Sequence, residues 1–213
     1  MDPNQKIDQI RQYFDDKLKT YGATPQGADW NSNGSQETRF EQLCKVIEDP
    51  RHVTILDFGS GYGALLDYLN QKGYQVDLYV GYDNLESMVA EGQKRYAGQS
   101  NVIFTSNFKD IPPVDYAVAS GVFNIKLDSP YEDWMQFAMD NLEKVNSLVR
   151  KGFASNFLTS YSDPDRMKIR TDLFYADPCY IFDYCKKHFS RWVSILHDYR
   201  LYDFTLIVRK DQN

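Results

Sequence analysis

Two carboxylates and a run of glycines hold the chemistry most legible in this chain. Residues 53–63 read VTILDFGSGYG, so an apolar stretch reaches Asp57 and then passes into glycines at 59, 61 and 63. Val53, Ile55, Leu56 and Phe58 suit a strand covered on both faces, and Leu65, Tyr68 and Leu69 then take helical spacing across 64–71. A glycine turn at that joint offers bare backbone N–H groups at the mouth of a helix, with no Cβ in the way. Gly59, Ser60 and Gly61 are therefore candidate ligand contacts. The next strand, through Val76, Leu78 and Val80, runs into Gly81, Tyr82 and Asp83. An acid at that place, about 20 residues beyond the glycines, can accept hydrogen bonds from both hydroxyls of a ribose. Asp83, with Asn84 beside it, is the candidate ribose site.

Two kinds of cofactor use such a turn. Gly59, Gly61 and Ala64 satisfy the dinucleotide spacing G-x-G-x-x-G/A, in which backbone amides meet a pyrophosphate. Here an acid also stands two residues before the first glycine and a glycine occupies position 63, giving D-x-G-x-G-x-G. This resembles motif I of the class I S-adenosylmethionine-dependent methyltransferases. In that family the turn faces the amino acid and ribose parts of the cofactor. A carboxylate near Asp57 suits the cofactor's ammonium group and would repel a pyrophosphate.

The resemblance implies more. The segment 101–105 reads as a third strand, and the loop SNFKDIPP after it would meet the adenine, with Asn107 bonding the base, the Phe108 backbone beside it, and Met88 and Val89 offering apolar contact. The segment 115–120 reads as a fourth strand, with Ser120 at its end and Gly121 to Asn124 just beyond. Reaction centres of open parallel sheets lie there. The stretch SGVFN also departs from the Asp/Asn-Pro-Pro-aromatic motif of the amino-methylating nucleic-acid enzymes, and Pro112 and Pro113 precede the strand and cannot replace it.

Composition narrows the field. A chain of 213 residues with 42% hydrophobic content can build one well-cored domain and little more. A net charge of −6 argues against broad affinity for nucleic acid or an anionic membrane and favours small-molecule chemistry. Cys44, Cys179 and Cys185 are scattered, odd in number and without metal-ligand spacing, so no disulfide framework and no metal site are expected. No run approaches the roughly 20 apolar residues of a membrane span, and the start MDPNQKIDQ does not read as a signal peptide. The expectation is a soluble, cytoplasmic protein of undetermined oligomeric state.

The remaining elements must position these residues. Residues 1–50 read as a helical prelude: an amphipathic helix through Ile7, Ile10, Phe14 and Leu18, a turn-rich stretch holding Trp30, and a second helix capped by Ser35 with Phe40, Leu43 and Ile47 inward. That prelude is expected to act as a lid, or to serve as packing, over one α/β unit at 51–213. Ser129, Pro130 and Glu132 predict a capped start to a long helix running to Lys151 and Gly152. A fifth strand at 153–158 then leads into an irregular segment, 159–176, in which Arg166, Lys168 and Arg170 alternate and, if extended, share one face. Asp177 and Pro178 start a helix whose last-turn His188 reads as structural. Two last strands, 193–197 and 204–208, are joined too briefly for a parallel crossover, so the final one runs antiparallel. The whole resembles the doubly wound, seven-stranded, mostly parallel α/β sheet of the Rossmann-like methyltransferase fold, with an antiparallel last strand and an N-terminal helical lid.

Three functions follow as readings. The first is S-adenosylmethionine-dependent transfer of a methyl group to a small molecule, an oxygen of an anionic metabolite or sugar derivative, with the three basic residues meeting the anion. The second is an NAD(P)-dependent oxidoreductase, and the third a non-catalytic S-adenosylmethionine-binding subunit. If an oxygen is methylated its proton must leave, and His197 with Asp198, at the end of the sixth strand, are the candidate acid–base pair. Tyr161, Tyr199, Tyr202 and Asp203 are placed to shape the same pocket.

Overall fold

The computed structural model describes residues 3–24, 26–27 and 33–211, the side chains of 3–7 and 33 excepted. Trp30 lies outside the described residues. Two helices come first, α1 (Pro3–Tyr21) and α2 (Asn33–Leu43). Strand and helix then alternate as β1 (Val53–Phe58), α3 (Ala64–Gln71), β2 (Val76–Tyr82), α4 (Glu86–Arg95), β3 (Val102–Thr105), β4 (Val114–Ala119), α5 (Tyr131–Leu148) and β5 (Val149–Thr159). The chain closes with α6 (Pro164–Ile169), β6 (Tyr175–Ala176), α7 (Pro178–His188), β7 (Trp192–Leu196) and β8 (Asp203–Arg209).

The sheet runs β3-β2-β1-β4-β5-β8-β7, with the short β6 alongside β5. Pairing is parallel from β3 to β5, and β8 lies antiparallel to both β5 and β7. The doubly wound sheet with a closing antiparallel hairpin is therefore present, with β6 as an addition. β1 bonds to β2 on one side and β4 on the other, so the strand order reverses between β1 and β4. A crevice opens at the carboxyl ends of strands at such a switch point.

β1 shows why the sequence folds this way. Leu56 and Phe58 join a core with Trp134 and Leu142 of α5, whereas Val53 and Ile55 join another with Leu43 of α2 and Leu65 of α3. A strand sandwiched by helices must present apolar residues to both faces, and this one does so through Val53, Ile55, Leu56 and Phe58.

Several boundaries differ from expectation. α5 has Pro130, not Ser129, at its N-cap and no side-chain cap, because the Pro130 carbonyl takes the Trp134 N–H while the Ser129 N–H turns back to Lys126. α2 begins at Asn33, ahead of Ser35, and stops at Leu43, so Ile47 is buried from beyond a 3₁₀ turn (Cys44–Val46). β5 starts directly after α5, which puts Lys151 and Gly152 in a strand. The segment 159–176 is not irregular throughout: Asp163 and Pro164 start α6, and the alternation of Arg166, Lys168 and Arg170 on an extended face does not occur. Asp177 does cap α7, its side chain accepting the Cys179 N–H at 2.8 Å. Among the described residues no helix is long and apolar enough to cross a membrane, and no group of His, Cys, Asp and Glu could hold a metal ion.

Candidate cofactor and acceptor site

A cavity of about 470 Å³ occupies the switch point, floored by the ends of β1, β2 and β4 and covered by α1 and α6. Its first half is the glycine turn. Gly59 and Gly61 both take left-handed backbone conformations, with φ of 78° and 53°, which side chains rarely adopt. They differ in what surrounds them. A Cβ on Gly59 would lie 2.5 Å from Val122 Cγ2, whereas one on Gly61 would meet nothing nearer than Met88 Sδ at 3.9 Å. Gly59 therefore serves close packing of the two strand ends, and Gly61 keeps a backbone surface open to the cavity.

Asp83 closes this half. Its carboxylate accepts the Gly61 N–H and the Leu85 N–H, each at 2.9 Å, and desolvation raises its pKa against those two bonds. Asp57 lies at the base of the cavity, 3% exposed, where the Tyr79 hydroxyl donates to it at 2.6 Å. Burial pushes the Asp57 carboxyl up to about 7, with the neighbouring charge of Asp83 adding to the shift and the Tyr79 hydrogen bond opposing it.

The second half is lined by Ile10, Tyr13 and Phe14 of α1 and by Ile125, Leu158 and Leu173. Tyr13, Phe14, Ile125, Leu158 and Leu173 belong to one small apolar cluster, and Ile10 packs against the main core beside it. α1 is held over them partly by Ser87, whose hydroxyl donates to Asp15 at 2.8 Å; the bonds from Lys19 and then Ser87 hold the Asp15 pKa down. Into this apolar wall project two arginines one helical turn apart. Arg166 stacks its guanidinium 4.7 Å from the Tyr202 ring centroid, and its Nε is buried without a partner. Arg170 donates twice to Asp172, at 2.9 and 2.8 Å, while Lys168 faces Asp165 outside the cavity. Where the halves meet, Ser120 Oγ and Asn124 Oδ1 are also buried without partners. The Asn124 backbone is fixed from both sides, donating to the Gly121 carbonyl at 3.3 Å and accepting the Phe174 N–H at 2.8 Å.

The structure brings Gly59, Ser60, Gly61, Asp83, Asn84 and Ser120 together in the lining of one cavity. Four other candidates do not line it. Asn107 accepts the Lys109 N–H and caps a 3₁₀ turn, and Phe108 packs edge-on against Tyr82 at 5.8 Å, one layer behind the lining. His197 and Asp198 are exposed, because β7 is the edge strand and its end lies beyond β8 and β5 from the switch point. The His197 ring rests between Tyr161 and Phe204, at 6.1 and 6.0 Å, outside the cavity. Tyr161, Tyr199, Tyr202 and Asp203 are absent from the lining as well. Asn124 lies in the turn expected to hold the reaction centre, whereas Arg39 was not anticipated as a site residue, and only the helical spacing of Ile10 and Phe14 hinted at the apolar face that α1 turns to the cavity.

No protein-family model matches the chain. A Mycobacterium tuberculosis protein named "Putative methyltransferase Rv1506c" is 46% identical over 166 residues, which is 78% of this chain and 98% of that one. The chain belongs to the class I S-adenosylmethionine-dependent methyltransferases. The magnesium protoporphyrin IX methyltransferase ChlM of Synechocystis PCC 6803, solved with bound SAH, superposes at a TM-score of 0.67 with 18% identity, over 95% of this chain and 98% of that one. The DhpI–SAH complex gives 0.64 with 15% identity over 97% and 98%. The N-methyltransferase NodS of Bradyrhizobium japonicum WM9, in complex with SAH, gives 0.62 with 14% over 95% and 98%. At these identities the likeness is one of fold, and it covers nearly the whole enzyme.

Proposed function

We propose that this methyltransferase acts on an oxygen of a small anionic acceptor, a metabolite or sugar derivative. The observation that carries this reading is a single cavity that joins the glycine turn and Asp83 to a buried, unpartnered Arg166 nitrogen. An unpaired guanidinium N–H in an enclosed site costs free energy until an anion accepts it, and arginine can take a carboxylate or phosphate through two parallel bonds.

The residues of the first half fit S-adenosylmethionine. Gly61 leaves room for the amino acid part, Asp57 offers a carboxylate to its ammonium, and Asp83 offers acceptors to the two ribose hydroxyls. Leu85 and Met88 give apolar contact for the base, in place of the Asn107 and Phe108 contacts the resemblance implied. Ser120 supplies a free hydroxyl at the junction. When bound, the cofactor supplies a methyl group already made electrophilic by its sulfonium, so alignment and water exclusion are what the protein must add. α1 and its apolar face perform the exclusion, so within the 1–50 prelude α1 is the lid of the 51–213 unit while α2 packs into its core. Among the described residues the carboxylates of the lining, Asp57 and Asp83, belong to the half proposed for the cofactor and no histidine lines the cavity, which favours departure of the acceptor's proton to water at the mouth over transfer to His197 or Asp198.

Calorimetric titration with S-adenosylhomocysteine and with NADH tests the cofactor half. The first should bind and the second should not, and Asp83→Ala should weaken the first by about 1 to 3 kcal/mol. Equal affinity of variant and parent removes the ribose assignment. Methyl transfer to a panel of hydroxy acids and sugar phosphates, against their neutral esters, tests the acceptor half; turnover confined to the neutral members rejects the anionic reading.

A further inference from the structure

A buried polar chain runs behind the cavity wall and reaches the wall at both ends. Arg39 of α2 donates through Nε and Nη2 to the Asp203 carboxylate at 2.6 and 2.9 Å. The same carboxylate accepts Asn156 Nδ2 at 2.7 Å, and Asn156 Oδ1 accepts the Gly121 N–H at 2.8 Å. Asn156 and Asp203 are fully buried in adjacent strands, β5 and β8, and Arg39 is 8% exposed. Arg39 and Gly121 line the cavity, whereas the two residues between them do not.

Stability alone does not call for such an arrangement. A charged pair and an amide in the middle of a sheet carry a large desolvation cost, and apolar residues of similar volume often serve a fold as well or better. What the chain does instead is hold one backbone amide. β4 leaves the sheet after Ala119, and there the Asn156 side chain takes the Gly121 N–H that a strand partner would otherwise have taken. Gly121 sits in the 120–124 turn, in which Val122 packs over Gly59 and the cavity-lining residues Ser120 and Asn124 bury Oγ and Oδ1 without partners.

We propose that Asn156 is a positioning residue for methyl transfer: fixed by Asp203 and Arg39, it holds the Gly121 amide and thereby sets the Ser120–Asn124 turn against the glycine turn. This rests on the cavity being the methyl-transfer site. Arg39 extends the device to α2, so the prelude and the floor of the site are tied through one carboxylate.

The test uses the full chain, with S-adenosylhomocysteine as probe, and reads its Kd beside Tm. Binding by the parent protein checks the reading of the cavity; the variants check Asn156. Asn156→Ala should raise the Kd about tenfold while the protein remains folded at the assay temperature. Thr205→Val, at the buried β8 position paired with Asn156, is the control for packing and should lower Tm without moving the Kd. Asp203→Asn should raise the Kd as well, yet add nothing in the Asn156→Ala background, because it acts through Asn156. Should Asn156→Ala fail to fold, Asp203→Asn alone decides. An unchanged Kd in folded Asn156→Ala or Asp203→Asn overturns the proposal, as does full additivity of the two.

Discussion

The half of the cavity proposed for the cofactor comes mainly from one stretch of chain, β1, the glycine turn and the end of β2, whereas the half proposed for the acceptor is gathered from α1, the turn after β4 and α6. The first presents mainly backbone and two carboxylates; the second presents side chains on an apolar wall with arginines at its edge. A site made by local backbone geometry leaves little latitude, because left-handed φ angles and close strand contacts admit few residues. A site made by side chains on separate elements can change its ligand one substitution at a time. The comparison therefore predicts that damage to the first half abolishes cofactor binding, while damage to the second spares it.

The largest effect should come from removing residues 1–32, which takes away α1 and leaves α2 whole. Turnover should fall at least about 100-fold through lost closure and alignment, with the sheet still folded by circular dichroism and S-adenosylhomocysteine still bound. Full activity in the truncated protein would reduce the prelude to packing.

Gly61→Val sharpens the contrast from the other side. It places a branched side chain at a φ of 53°, in space otherwise open to the cavity. Cofactor affinity should drop about 100-fold because the side chain occupies the ligand's volume, and the strained backbone should separately cost roughly 1 to 2 kcal/mol of stability. Gly59→Ala should instead show itself first as a lower Tm, because its Cβ would strike Val122. If Gly61→Val binds cofactor as the parent does, the division between the two glycines is wrong.

Arg166→Gln probes the acceptor half. The KM for an anionic acceptor should rise about tenfold, with cofactor affinity unmoved and the difference shrinking in high salt. Arg170→Gln should do less, since Asp172 already neutralises that guanidinium. Reversal of that order would exchange their roles.

The smallest effect concerns Asp57. Its folded pKa of about 7 stands above the ordinary value of 3.8, so the folded chain holds this proton more tightly than the unfolded one. The stability this supplies is complete at acid pH, falls as pH climbs through the window from about 4 to 7, and is constant above it. An ammonium beside Asp57 favours the ionised form. Affinity for S-adenosylhomocysteine should therefore increase, by up to about tenfold, between pH 6 and 8, with a proton released that buffer-dependent calorimetry detects. Asp57→Asn should flatten both dependences; a variant as pH-sensitive as the parent assigns the proton elsewhere.

The sequence by itself determined the sheet from β1 to β5, the glycine turn, Asp83 and the closing hairpin. Each of these rests on neighbours in sequence: apolar runs set strands, glycines set the turn, and a short link forces the last pairing antiparallel. Ser120 was legible for the same reason, as the residue at a strand end beside the switch point. Tertiary structure decided the rest. Phe108 lost its place at the cavity to Tyr82, against which it packs, and the exposed Asn107 turns to the Lys109 N–H instead. His197 and Asp198 fell outside because the reach of a strand end depends on its place in the sheet order, and local spacing does not encode that order. Arg166 and Arg170 kept their place for a reason other than alternation, since a helix of six residues, not an extended loop, brings positions one turn apart to the same side. The Arg39–Asp203–Asn156–Gly121 chain joins residues as much as 164 apart in sequence, and each is unremarkable until the fold sets it beside the next.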